Sequence, residues 1–123
     1  MIYERDYVKR LIRDMARMLA RLLLGIDTSV PAVELLEDGA VKQTAFGLLS
    51  MADDGDIAGA EALLMRMLES GEPGFIDAAL VFYSHLNEKS DAFLEAHGFP
   101  REKIEDGLRR TAEAAGLEGL LPM

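Results

Sequence analysis

Twenty residues near the start of the chain, YVKRLIRDMARMLARLLLGI, place large apolar side chains at steps of three and four, a spacing that only a helix turns to one side. Val8, Leu11, Ile12, Met15, Met18, Leu19, Leu22, Leu23 and Ile26 carry the pattern. At about 100° per residue they fill an arc of roughly 140°, with the basic residues on the opposite side. The stretch predicts a long amphipathic helix over about 3–24, closed by Gly25, a residue suited to the left-handed position after a helix.

The same spacing recurs along the rest of the chain, separated by turn signals. Pro31 suits the first position of a second helical region, AVELLEDGAVKQTAFGLLSMAD, in which Gly39 and Gly47 predict either a bend or a division into two. Gly55 closes that region and Asp56 caps IAGAEALLMRMLES, which ends at Gly71. PGFIDAALVFYSHL, opened by Pro73, is apolar around much of its circumference and is the candidate centre of the core. Ser90 caps a short helix, SDAFLEAH, and Pro100 opens the last one, PREKIEDGLRRTAEAA, which Gly116 stops. No segment alternates with the period of two that a half-buried strand requires. The fold class is all-α, an antiparallel helical-hairpin bundle of about five to seven helices in one domain over 1–123.

Charge and composition narrow the function. The chain carries a net charge of −9, yet residues 1–24 hold six basic side chains against Glu4, Asp6 and Asp14, a net of +3 that leaves −12 for the other 99. So acidic a body repels a phosphate backbone, and nucleic acid is not an expected partner. Cysteine is absent, which removes disulfides and thiolate chemistry and fits a cytoplasmic protein. The run MLARLLLGI falls far short of the roughly 20 apolar residues a membrane span needs. The charged start MIYERDYVKR lacks the form of a secretory signal.

The segment GDIAGAEALLMRMLESGEPG resembles the second helix of a tetratricopeptide repeat, with Gly55, Ala60 and Leu64 at its packing positions. The match covers about half a repeat, and no period of 34 residues recurs, so the resemblance implies a hairpin manner of packing and not an array. More broadly, DYVKRLIRDMARMLARLLLG, AVELLED and FYSHLNEKSDAFLEAHGFPREKIEDGL resemble a domain-of-unknown-function family of short all-helical bacterial proteins. That resemblance implies a helical fold and a bacterial setting, and no catalytic residue.

Residues with chemical potential are few. His85 and His97 lie twelve positions apart, unlike the close helical pairs that bind zinc, and are explained by burial and by a helix end. With Gly98 left-handed, Phe99 folds back on Leu94. Asp53, Asp54 and Asp56 suggest a calcium loop, but the sixth and twelfth positions counted from Asp53 are Ala58 and Leu64, not glycine and glutamate. No catalytic, cofactor-binding or metal-binding residue is predicted. The expected function is a non-catalytic protein-interaction module, homodimeric, with Arg13, Arg17, Arg21 and the turn residues Asn87, Lys89 and Asp91 as the candidate interaction surface. The alternative is attachment to an anionic membrane surface through the basic amphipathic first helix.

Overall fold

A computed structural model describes residues 2–28, 30–117 and 119; the ends of the expected 1–123 domain, Met1, residue 118 and residues 120–123, lie outside them. Six α-helices follow one another among the described residues: α1 (Ile2–Leu19), α2 (Gly39–Asp53), α3 (Ile57–Glu69), α4 (Phe75–Asn87), α5 (Asp91–Ala96) and α6 (Arg101–Ala114). No strand occurs among the described residues.

α4 is the centre of the bundle, as its all-round apolar sequence requires. Ten of its thirteen residues are buried, and it meets α1, α2, α3 and α6. Around it, α1 packs on α6, and α2 on α3. The largest buried side chains include Phe82 and Tyr83 of α4, Ile12, Met15 and Leu19 of α1, and Leu64 of α3. Each large aliphatic or aromatic side chain so buried contributes about 1.5–3 kcal/mol.

α1 does not run to residue 24 as a regular helix. After Leu19 it widens into a π-helical turn, Ala20–Leu24, closed by Gly25 at φ 69°. The wider turn changes which residues face inward. Ala20 is buried, Leu23 and Leu24 lie half-buried against the core, and Leu22 turns out, 54% exposed. The 3.6-residue period places Leu22 on the apolar face, and the local change of period takes it off.

The segment from Pro31 differs from expectation more strongly. Pro31 starts no helix; residues after it make one 3-10 turn, Val33–Leu35, and α2 begins only at Gly39. Asp38 decides this boundary, because its carboxylate accepts from the N–H groups of Ala40 (2.9 Å) and Val41 (3.1 Å). A side chain in that role ends whatever precedes it and starts the helix that follows. Asp38→Ala is expected to cost about 1 kcal/mol, read as a lower urea midpoint at constant slope. The strap so formed is pinned by Leu36, which is buried with Ala45 and Val81 in a small second core. Likewise, Pro73 does not open α4, which starts two residues later at Phe75.

Other helix ends follow the sequence closely. Asp56 caps α3 through the Gly59 N–H at 3.0 Å, and Ser90 caps α5 through the Phe93 N–H at 3.1 Å. At the end of α5 the Phe99 N–H reaches the Leu94 carbonyl at 3.0 Å and the Gly98 N–H the Glu95 carbonyl at 3.2 Å, with Gly98 at φ 65°. This is the double closure expected of a left-handed glycine, and it buries Phe99.

Two close approaches fix how the helices sit. A Cβ on Gly107 of α6 would overlap Tyr83 Cζ, so the phenol end of the ring packs against bare α6 backbone. The Tyr83 hydroxyl then donates to Glu61 of α3 at 2.7 Å, tying α3, α4 and α6 at one point. Burial, with the nearby Glu61 carboxylate, pushes the Tyr83 phenol far above its ordinary pKa, so it stays a neutral donor.

Candidate functional site

The turn between α4 and α5, residues 88–90, is expected from sequence to carry exposed polar groups. Asn87 does not fit that expectation: it is 1% exposed. Its amide donates to the Lys9 carbonyl of α1 at 3.0 Å, and its Oδ1 accepts from Arg101 Nη1 at 3.0 Å. The side chain is thus a connector between α1 and α6.

Arg101, 7% exposed, organises the rest of the turn. Its Nη1 also donates to the Asn87 carbonyl at 2.6 Å, Nη2 to the Lys89 carbonyl at 2.7 Å, and Nε to Asp91 Oδ1 at 2.9 Å. One planar guanidinium thereby satisfies two end-of-helix carbonyls and one carboxylate, a task for which its fixed fork of donors is suited. Asp91 is committed to this contact.

Above the turn lies a second polar cluster, which sequence spacing does not reveal. Asp53, at the end of α2, accepts through Oδ1 from His85 Nε2 at 2.7 Å and from the Lys89 ammonium. Lys89 also lies over the Phe93 ring, 5.0 Å from its centre. His85 is therefore not explained by burial; it is half-buried and paired. Partial burial pushes the Asp53 carboxyl up, but Lys89 and His85 outweigh it and hold the group below the usual carboxylate range.

Beside it, Arg13 of α1 grips Glu88 with two hydrogen bonds, Nε to Oε2 at 3.0 Å and Nη2 to Oε1 at 2.7 Å. The Arg13 hydrogen bond holds Glu88 below its ordinary pKa as well. Both carboxyls thus favour the folded state above the unfolded carboxylate pKa of about 4, and that contribution is lost as pH falls through their lower folded values. Asp53→Asn is expected to remove part of the acid sensitivity below about pH 4. The effect is under about 1 kcal/mol because the pair is half-exposed, and a urea titration at several pH values measures it.

Of the six expected surface residues, Arg13, Asn87, Lys89 and Asp91 are thus engaged within the chain. Arg17 makes a long contact to Asp27 at 3.7 Å, and Arg21 has no ion-pair partner among the described residues. These two line a groove on the outer side of α1 with Asp14, Met18 and Leu22.

Among the described residues, the most exposed large apolar side chain lies elsewhere, on α2. Phe46 is 63% exposed, since α2 turns Ala45, Leu48 and Ala52 inward and leaves Phe46 off that face. A cleft lies on either side of its ring. One, of about 310 Å³, runs between the strap and α4, with Pro31, Val33, Leu49 and Val81 as walls and Asp53 and His85 at its polar end. The other, of about 320 Å³, is lined by Val33, Glu34, Lys42 and Gln43 with Phe46 itself. The strap residues Val33 and Glu34 border both, and Leu35 beside them is 42% exposed. A signal for this site was present in the sequence: an aromatic residue among Gln43, Thr44 and Gly47, off the helix's own apolar side.

Fold and site together define a small helical bundle with an apolar surface on its second helix and internally paired charges. The family described as "Family of unknown function (DUF6483)" matches residues 2–116, and the chain belongs to it. No curated protein and no solved structure matches the chain.

Proposed function

We propose that this member of a family of unknown function is a non-catalytic protein-interaction module whose contact face is centred on Phe46. The observation that carries this reading is the ring itself, 63% exposed between two clefts and more exposed than Tyr7 (59%) or Leu22 (54%), which lie on the charged side of α1. An aromatic anchor beside an apolar recess is the usual centre of an interface. The strongest titratable cluster, Asp53 with His85 and Lys89, is satisfied within the chain, which supports binding over catalysis. α2, α3 and α4 meet pairwise, which supports a tetratricopeptide-like stacking of this part of the bundle. A cytoplasmic, bacterial setting belongs to the same proposal, supported by the cysteine-free composition and the family resemblance.

A photo-activatable cross-linking residue at position 46 tests the proposal in cells. The expected result is a discrete protein adduct that the same residue at Leu63, 39% exposed on α3, does not give. No adduct at position 46 would refute the module reading.

Attachment to an anionic membrane through α1 has less support. Ile12, Met15 and Leu19, the apolar residues that would enter the lipid, are buried in the bundle, and Arg13 is neutralised by Glu88. No helix among the described residues is long and apolar enough to cross a membrane. Co-sedimentation with anionic vesicles at low salt, lost in Arg17→Glu/Arg21→Glu, would restore that reading.

A further inference from the structure

We infer that the Phe46 face binds a second copy of this chain, in a two-fold dimer formed by antiparallel crossing of the two α2 helices. The inference rests on the interaction-module reading and names its partner. Three observations lead to it.

Gly47 is the first. It sits in the middle of α2, where glycine is less favourable than alanine by about 1 kcal/mol. Nothing lies within 4 Å of where its Cβ would be, and its backbone has no positive φ to accommodate. Neither packing nor conformation within the chain calls for glycine there. A close crossing of two α2 helices supplies a reason, because the bare backbone at Gly47 lets the second copy approach.

The second is self-complementary shape. Phe46 is a knob, and the cleft lined by Val33, Glu34, Lys42 and Gln43 is a hole directly beside it. When two copies are related by a two-fold axis, a knob adjacent to its hole fills the hole of the other copy in both directions at once, and the assembly closes at two. Gln43 and Ser50, small or adaptable and exposed on the same side of α2, allow the helices to approach.

The third is charge. Two copies of a chain carrying −9 repel one another over most of their surface. Glu34 and Lys42 border the same cleft, and neither has an oppositely charged partner among the described residues. Across the axis Lys42 of each copy meets Glu34 of the other, a reciprocal pairing that offsets part of this repulsion. The outer side of α1 offers no such match, since its exposed Tyr7 and Leu22 are separated by the charged Asp14, Arg17 and Arg21.

The test is the mass of the full chain in solution, by sedimentation equilibrium from micromolar to millimolar concentration, with the helical circular dichroism of each variant as a check on folding. Wild type is expected to approach twice 13.5 kDa at the upper end. Phe46→Asp and Gly47→Leu are expected to stay at 13.5 kDa with wild-type helicity. A Cβ at position 47 meets nothing within 4 Å inside the monomer, and unchanged helicity in this variant shows that the larger side chain leaves the fold intact, so its effect reads the interface. Lys42→Glu is expected to weaken association by about tenfold, and Glu34→Lys/Lys42→Glu to restore it. A wild type that remains at 13.5 kDa throughout, or a Gly47→Leu chain that dimerises like wild type, overturns the inference. If wild type is monomeric while cross-linking at position 46 traps a different protein, the dimer fails and the module reading stands; failure of both leaves neither.

Discussion

Arg101→Met is expected to lower stability by about 3 kcal/mol, a large share of the 5–15 kcal/mol available to a domain of this kind. The substitution keeps an unbranched apolar stem and removes every donor. Four hydrogen bonds go, and the Asn87 and Lys89 carbonyls and the Asn87 side chain lose their partner in a site that is 7% exposed at the arginine. Stranding buried polar groups is what makes the change costly. The sign discriminates, because Arg101 is the first residue of α6, at the positive end of the helix dipole. Considered by helix electrostatics alone, its removal would stabilise by a few tenths of a kcal/mol. Arg101→Lys is expected to fall between the two, since one ammonium cannot span the carboxylate and both carbonyls. Urea unfolding of the three chains decides the matter; equal midpoints would show that the guanidinium is not holding the turn.

Gly107→Ala gives a second large effect, again opposite to what local propensity predicts. Alanine is the better helix former by about 1 kcal/mol, so an exposed site would gain stability. Here the new methyl enters the Tyr83 ring, and the ring cannot retreat easily. Its hydroxyl is bound to Glu61 at 2.7 Å, and its edge packs on Phe82 at 5.1 Å between ring centres. Overpacking of this type costs typically 1–3 kcal/mol, and the expected net loss is about 2 kcal/mol. Repeating the substitution in a Tyr83→Leu background removes the clash and should return much of that loss, with a coupling above about 1 kcal/mol. Independent effects in that cycle would place the cause elsewhere.

Particular elements show how much of this arrangement could be read from the chain. α4 as the core helix, the caps at Asp56 and Ser90, and the fold-back of Phe99 over Leu94 all depend on neighbours within about five residues, and the sequence carries them openly. The boundary at Asp38 was legible in principle, yet Pro31 offered a competing start and the capping aspartate was the stronger signal. The outward turn of Leu22 depends on a π-helical widening that no periodicity announces.

The site was less legible than the fold for a geometric reason. His85 and Asp53 are 32 positions apart, and Arg13 and Glu88 are 75 apart. Helical periodicity shows which way a side chain points on its own helix and nothing of the helix opposite. The basic stripe of α1 therefore looked like an outer surface, while Arg13 within it reaches inward to the α4–α5 turn. Asn87 looked like a turn residue for the same reason, since its partners, Lys9 and Arg101, come from the first and the last helix of the chain.

The pairing of α1 with α6 also sets a schedule for the nascent chain. α1 packs on α4 and α6, so its buried leucines and methionines have no complete shelter until residues beyond Arg101 have left the ribosome. Roughly 80 residues separate the end of α1 from the start of α6, which at about 5–20 residues per second leaves that apolar stripe waiting for on the order of 4–16 s. During that interval the charges of its other side, Arg10, Asp14, Arg17 and Arg21, are what keep the helix in water. The surface that looks idle in the finished bundle is the one that protects the chain while the bundle is being made.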